Sequence, residues 1–205
     1  MPQASSVYFW EADVTIECQN LAFSLESSDE GRGATKKRIF SASWVRDGKV
    51  MFDPSKRVGG WLKKQLPLLR SSYTTQVQAI KVFPSNGVQY VPVCELSELT
   101  GSTIPIPDNN HEFLQKFPNP FWQRIQVPAM SGGGTRSTTT YWLEYNNPIQ
   151  FSVKILSFAR SITPEMIKEA LSKLGHATGI GDKYSQGYGR FKLTSFDSKQ
   201  EKLNI

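Results

Sequence analysis

Histidine and cysteine are scarce in this chain, two of each among 205 residues. His111 and His176 leave little material for a histidine-based metal site. Cys18 and Cys94 stand in no CxxC and beside no histidine at metal-ligand spacing. Each falls in an apolar, strand-like stretch, which predicts two buried thiols. No metal and no cofactor is expected. Long apolar runs are missing too, for nothing approaches the roughly 18 consecutive apolar residues of a membrane helix. Residues 1–6 show none of the basic-then-apolar layout of a secretory signal. These absences predict a cytoplasmic protein with no membrane partner.

What is present is a core and an uneven charge. Apolar residues make up 39% and aromatics 12%, enough to fold rather than stay disordered. The net charge is +6, but its distribution says more than its total. Residues 1–31 hold six acids and no base. Residues 32–70 hold eleven Lys and Arg against two Asp, a local charge of +9. Such a block attracts phosphate backbones through Coulomb steering and counterion release. The alternative is a basic face that only meets water.

Period-two alternation from Tyr8 through Trp10, Ala12, Val14 to Ile16 predicts a first strand with one buried face. Residues 19–25 continue as apolar chain, and 27–35 read as a loop. Asp47-Gly48 between alternating runs predicts a tight hairpin. Asp53 caps and Pro54 opens a short helix over 54–65, with Val58, Trp61, Leu62 and Leu66 as its apolar stripe and Pro67 as its stop. Gly59-Gly60 weakens that helix and lets a backbone or ligand come close. Strands are expected over 77–82 and 88–93, joined by a turn at Asn86-Gly87. Residues 95–120 read as an irregular insertion. Strands at 124–127 and 138–145 flank a glycine tip, and another strand covers 149–158. Thr163, Pro164 and Glu165 open the clearest helix, Met166, Ile167, Ala170, Leu171 and Leu174 bury its stripe, and Gly175 ends it. A last strand covers 188–196, and a polar tail 197–205.

This order predicts an α+β, ferredoxin-like (RRM-like) antiparallel sheet with two main helices on one face. One domain is expected over 1–196, with an insertion around 95–120, a hairpin around 124–145 and a glycine-rich loop near its end.

That loop carries the chemistry. Gly179-Ile180-Gly181 and Gly187-Tyr188-Gly189 bracket Asp182, Lys183, Tyr184, Ser185 and Gln186, and Arg190-Phe191 follow. Glycine has no side chain to block a phosphate, and successive backbone amides can form an anion nest. Lys183 and Arg190 add charge, while Tyr184 and Tyr188 offer stacking faces. A Rossmann fingerprint would follow a strand and open a helix, and an NTPase phosphate loop needs Gly-Lys-Ser/Thr. The competing reading is a glycine connector that lets helix and strand pack closely.

The GxGxxxxxGxG pattern after a final helix resembles the glycine-rich loop of the RAMP superfamily of CRISPR-associated RNA-binding proteins. The run from Asp13 to Phe23 resembles their first strand and bend, with Asn20 where proline is common. Phe52 to Leu62 resembles their first loop and helix. The resemblance covers both ends and leaves residues 70–150 unplaced. A similar ending occurs in short phage proteins of this size.

The resemblance implies that RNA lies over Gly179, Gly181, Lys183, Tyr184, Gln186, Gly187, Tyr188, Gly189 and Arg190. It would continue onto Lys56, Arg57, Lys63 and Lys64, and onto Arg32, Lys36, Lys37 and Arg38. Arg136 would sit on a protruding finger at residues 132–136, or on an ordinary loop. The implied role is a backbone subunit that coats guide or other single-stranded RNA in an antiviral ribonucleoprotein complex, beside copies of itself or other subunits. Two alternatives stay open within the family. An endoribonuclease would use His176 as acid/base, and a target-cutting subunit would use Asp29 or Glu30. Outside it stands a phage single-strand-binding or structural protein with the same fold.

Overall fold

The computed structural model describes residues 6–28, 37–40, 45–95, 98, 121–128, 135–182 and 184–204. They form two compact units. The first comprises Met1–Asn20, Phe52–Val91 and Asn146–Ile205, and the second comprises Leu21–Met51 and Pro92–Tyr145. The segments inserted between the first strand and helix, and again before residue 146, thus make a unit of their own.

The first unit is built on β1 (Ser6–Cys18), α1 (Pro54–Leu69), β6 (Ile80–Pro84), β10 (Ile149–Ser157), α3 (Pro164–Leu174) and β11 (Phe191–Asn204). Its sheet runs β11-β1-β10-β6 with every neighbouring pair antiparallel. Two β-α-β units are therefore interleaved, each with a strand of the other in its gap. This is the ferredoxin-like arrangement. A single turn, α2 (Tyr73–Gln76), and a 3-10 turn precede β6.

Alternation decides the faces. Trp10, Ala12, Val14, Ile16 and Cys18 are buried on one side of β1, while Tyr8, the first member of the predicted stripe, is 46% exposed. Phe151, Val153 and Ile155 extend the same layer, and Phe52 packs on Phe151 with ring centroids 5.2 Å apart. α1 packs on β6 and β10, and α3 on β11 and β1. The opposite face of β1 carries Glu11, Asp13 and Glu17. They pair with Lys154, Lys192 and Lys199 from the flanking strands. The early run of acids is spent partly on this ladder. Lys199 Nζ, 2.9 Å from Glu11, holds the Glu11 carboxyl below its usual range.

Both helix starts behave as the sequence implies. Asp53 Oδ1 accepts the Lys56 amide at 3.0 Å, and Thr163 Oγ1 accepts the Met166 amide. The end of α1 does not. The helix passes through Pro67 to Leu69 rather than stopping at 65. Proline removes one intrahelical bond, but near the last turn few remain to lose, and the Arg70 amide still reaches the Leu66 carbonyl at 3.2 Å. The expected tail from Asp197 is strand. β11 keeps pairing with β1 from Asp13↔Asp197 to Ser6↔Asn204. Its polar residues suit an edge strand whose partner lies on one side only. Residues 77–79 form the 3-10 turn, and β6 pairs with β10 rather than with β7 (Val91–Glu95), so the Asn86-Gly87 turn joins different sheets.

In the second unit, β4 (Val45–Arg46) and β5 (Lys49–Phe52) close the predicted hairpin, with positive φ at both Asp47 and Gly48. They join β7 in a three-stranded sheet. β2 (Leu21–Ser28), β3 (Lys37–Phe40), β8 (Phe121–Pro128) and β9 (Thr135–Tyr145) form the order β3-β2-β9-β8. β8 and β9 are the expected hairpin, while its tip and most of residues 95–120 lie outside the described residues. Cys94 is buried here and Cys18 in the first unit, and burial pushes each thiol up to about 12.

The glycine loop locks the end of the first sheet. A Cβ on Gly179 would lie 1.7 Å from the Tyr188 carbonyl oxygen, and one on Gly189 would lie 1.8 Å from that of Ile180. The two backbones touch, and the Ile180 amide donates to the Gly189 carbonyl at 2.9 Å. The Gly189 amide donates to Asn20, and the Gln19 amide to Arg190, both at 2.9 Å.

Gly189 is at φ +68 and is sterically closed, whereas Gly87 at φ +70 faces open space. Gly87→Ala is expected to cost about 1 kcal/mol, the left-handed penalty alone. Gly189→Ala is expected to cost about 3 kcal/mol or more, lowering Tm by roughly 6–12 °C. Thermal melts of both variants check this. Thiol titration checks the cysteines, since neither is expected to react at neutral pH until the protein unfolds.

Candidate nucleic-acid interface

Six of the predicted site residues of α1 and of the loop meet within the first unit. A groove of about 270 Å³ is lined by Lys56, Arg57, Gly60, Trp61, Lys64 and Gln65 from α1, and by Gly179, Ile180, Gly181 and Tyr184 from the loop. The spacing explains the α1 side, because residues three and four apart share one helix face.

The charges within the groove are partly matched. Arg57 Nη1 lies 2.9 Å from Asp182 Oδ1, and both side chains are about one-fifth exposed (22% and 20%). That pair tethers α1 to the loop and neutralises one cation. Lys64 Nζ donates to the Tyr184 hydroxyl at 3.2 Å and sits 4.6 Å from its ring centroid. A base stacking on that ring face displaces this lysine. The Lys56 side chain is exposed, so among the described lining Lys56 and Lys64 remain as cations available to an anion. They are eight residues apart, or about 12 Å along the axis.

Trp61 forms the floor. Its indole N–H donates to the Thr178 hydroxyl at 3.0 Å and carbonyl at 3.3 Å, and its ring meets Phe191 edge-on at 5.1 Å. Gly60 faces the opening, and a Cβ there would meet nothing within 4 Å. A glycine inside a helix costs about 1 kcal/mol relative to alanine. Packing gives no reason for this one. An open approach to the groove does.

The loop contributes shape more than amides. The N–H groups of Ile180, Gly187 and Gly189 are spent on Gly189, Tyr184 and Asn20 carbonyls, so they cannot make the expected anion nest. Gly179 and Gly189 follow the competing reading, close packing. Gly181, at φ +99, lines the groove. Tyr188 and Gly187 are half-buried in the loop, and Gln186 and Arg190 are exposed. Lys63 is exposed on α1 but is not among the groove's described lining.

Other predicted residues are not among the groove's described lining. Lys37 and Arg38 belong to β3, and Arg136 to β9, all in the second unit. Arg32, Lys36, Lys183, Asp29 and Glu30 lie outside the described residues. His176 is exposed in the turn after α3 and is not among the lining. Among the described residues no cluster of three or more His, Cys, Asp or Glu is placed to hold a metal. No helix among them is long and apolar enough to cross a membrane.

Two features escaped the sequence reading. Asp182 partners Arg57, and only the fold brings together residues 125 positions apart. Gln65 interrupts the apolar stripe of α1, a signal that was readable. A larger cleft of about 680 Å³ opens at the far end of the sheet, lined by Tyr8, Phe9, Arg160, Glu165 and Lys199 among others. We place the interface in the smaller groove because Lys199 is already held 2.9 Å from both Glu11 and Glu201, and Glu165 opposes an anion.

No family model matches this chain, and no curated protein does. Solved structures do match. One is a chain in the cryo-EM structure of the type III-B Cmr-beta bound to cognate target RNA, with 12% identity and a TM-score of 0.41. The match covers 93% of this chain and 60% of that one, so this chain spans less than two thirds of its length.

Proposed function

We propose that this protein binds the sugar-phosphate backbone of single-stranded RNA along the groove between α1 and the glycine loop. It does so as a non-catalytic subunit of a CRISPR-type ribonucleoprotein complex. The observation that carries the reading is the groove itself. Lys56 and Lys64 flank a side-chain-free opening at Gly60, and Gly181 of the loop faces them. Cations with backbone-level access suit a polyanion better than a small apolar ligand. The resemblance of the loop and of the first helix to RAMP proteins points the same way and supplies the RNA and the complex.

The +9 charge of residues 32–70 exceeds what the groove's lining carries, and charge on that scale favours a polyanion. Coulomb attraction of this kind weakens steeply with salt. A binder rather than a nuclease follows from what the lining offers, namely cations, aromatic surface and open backbone. His176, the histidine candidate for acid/base work, sits in the turn after α3.

Filter binding of labelled single-stranded RNA over a salt series tests this. Wild type is expected to bind at low salt and to release as salt rises. No binding at low salt would defeat the reading. Lys56→Ala combined with Lys64→Ala is expected to weaken binding and to reduce the slope of log K against log salt by about 1.4. Gly60→Ala is expected to raise Tm, since alanine is the better helix former and the space is open, yet to weaken binding by narrowing the groove. Incubation of RNA with wild type and His176→Ala is expected to leave the RNA intact in both.

A further inference from the structure

Three polar side chains are buried among the described residues: Asp53, Gln65 and Ser157. Two are satisfied within the fold. The Asp53 carboxylate accepts from the Lys56 amide, the Ser55 hydroxyl and the Gln89 amide group. Ser157 Oγ accepts from the Ala159 amide at 3.1 Å. Gln65 is only 6% exposed, and its side-chain amide has no hydrogen-bond partner among the described residues. It lines the groove beside Gly60, Trp61 and Lys64.

A buried amide without partners is unfavourable, and native proteins rarely leave one so. The position does not ask for polarity. Gln65 falls in the stripe of Val58, Trp61, Leu62 and Leu66, where methionine or leucine would fill the same volume at no hydrogen-bonding cost. Trp61, one turn earlier, already has its N–H committed to Thr178 and cannot complete Gln65. What does face Gln65 is the groove, entered over Gly60, where no side chain stands in the way.

We propose that Gln65 is the recognition group of this groove: its side-chain amide bonds a donor-acceptor pair on the bound strand, so binding there discriminates rather than merely attracts. The proposal rests on the groove being the nucleic-acid site. Glutamine presents one carbonyl acceptor and an NH₂ donor side by side. Two parts of an RNA strand match that pair. A ribose 2′-hydroxyl both donates and accepts, and is what separates RNA from DNA. The edge of a base does the same, adenine being the usual bidentate partner of glutamine. Lys56 and Lys64 supply attraction without selectivity, and Gln65 supplies the selectivity.

The experiment compares wild type with Gln65→Met, which keeps the volume and loses the amide. Affinities are measured for single-stranded RNA and DNA of one sequence, and for RNA homopolymers of each base. Wild type is expected to prefer RNA over DNA, or one base over the others, by about tenfold. Gln65→Met is expected to erase that preference while keeping its salt-dependent binding to the disfavoured strand. Loss in the sugar comparison assigns the contact to the 2′-hydroxyl, and loss in the homopolymer comparison assigns it to a base. Tm of the variant is expected to be unchanged or higher. The proposal is overturned if the variant keeps every preference, if wild type binds all strands equally, or if Tm falls by more than about 5 °C, which would place the amide's partner inside the fold. Wild type that binds no strand at all defeats the nucleic-acid reading first, and is told apart by that.

Discussion

The first unit depends on a contact between two stretches of bare backbone. Gly179-Ile180 and Tyr188-Gly189 lie closer than any side chain permits, and their hydrogen bond closes the loop on itself. Bonds from the same segment to Gln19 and Asn20 then fasten the loop to the end of β1. Phe191 follows directly and packs on Trp61, which sets the height of α1 above the sheet. The groove exists because this clamp holds the loop beside α1 at a fixed distance. The Arg57-Asp182 pair and the Lys64-Tyr184 contact then bridge the two walls. Shape comes from glycine packing, and charge from the helix that the packing positions.

This division alters how the glycine pattern is understood. Spacing alone left two explanations open, phosphate access and close packing. The structure shows close packing at two of these glycines and leaves others on the lining of the groove. Gly179 and Gly189 are there because backbone fills the space a Cβ would need. Gly181 and Gly60 border open space in the groove. A pattern of paired glycines therefore cannot be assigned one purpose from its spacing, for packing and access select the same residue for opposite reasons.

What was legible in the sequence was what local chemistry determines. Alternation in β1, the Asp47-Gly48 hairpin and the capped start of each main helix all follow from neighbours within a few residues. What was not legible depended on distant partners. Polar residues after Asp197 look like a tail until β1 offers thirteen residues to pair with. Pro67 looks like a stop, yet the last turn of a helix has little left for proline to break. The lysine and arginine run was read as charge that attracts a phosphate backbone. Its described members lie on or beside α1 and on strands of the second unit, and one of them, Arg57, is matched by an acid. Gln65 stood in plain view as a polar residue in an apolar stripe. That none of the described residues answers it could be seen only in the fold.

The borders of the four-stranded sheet have a consequence for assembly. On one side β6 is five residues long and ends at Pro84, which has no amide hydrogen to offer a newcomer. On the other, β11 is long but studded with lysine, glutamate and serine. Neither margin invites an incoming strand, so the molecule is protected from ribbon-like polymerisation along this sheet. Contact between copies of this chain would have to use other surfaces.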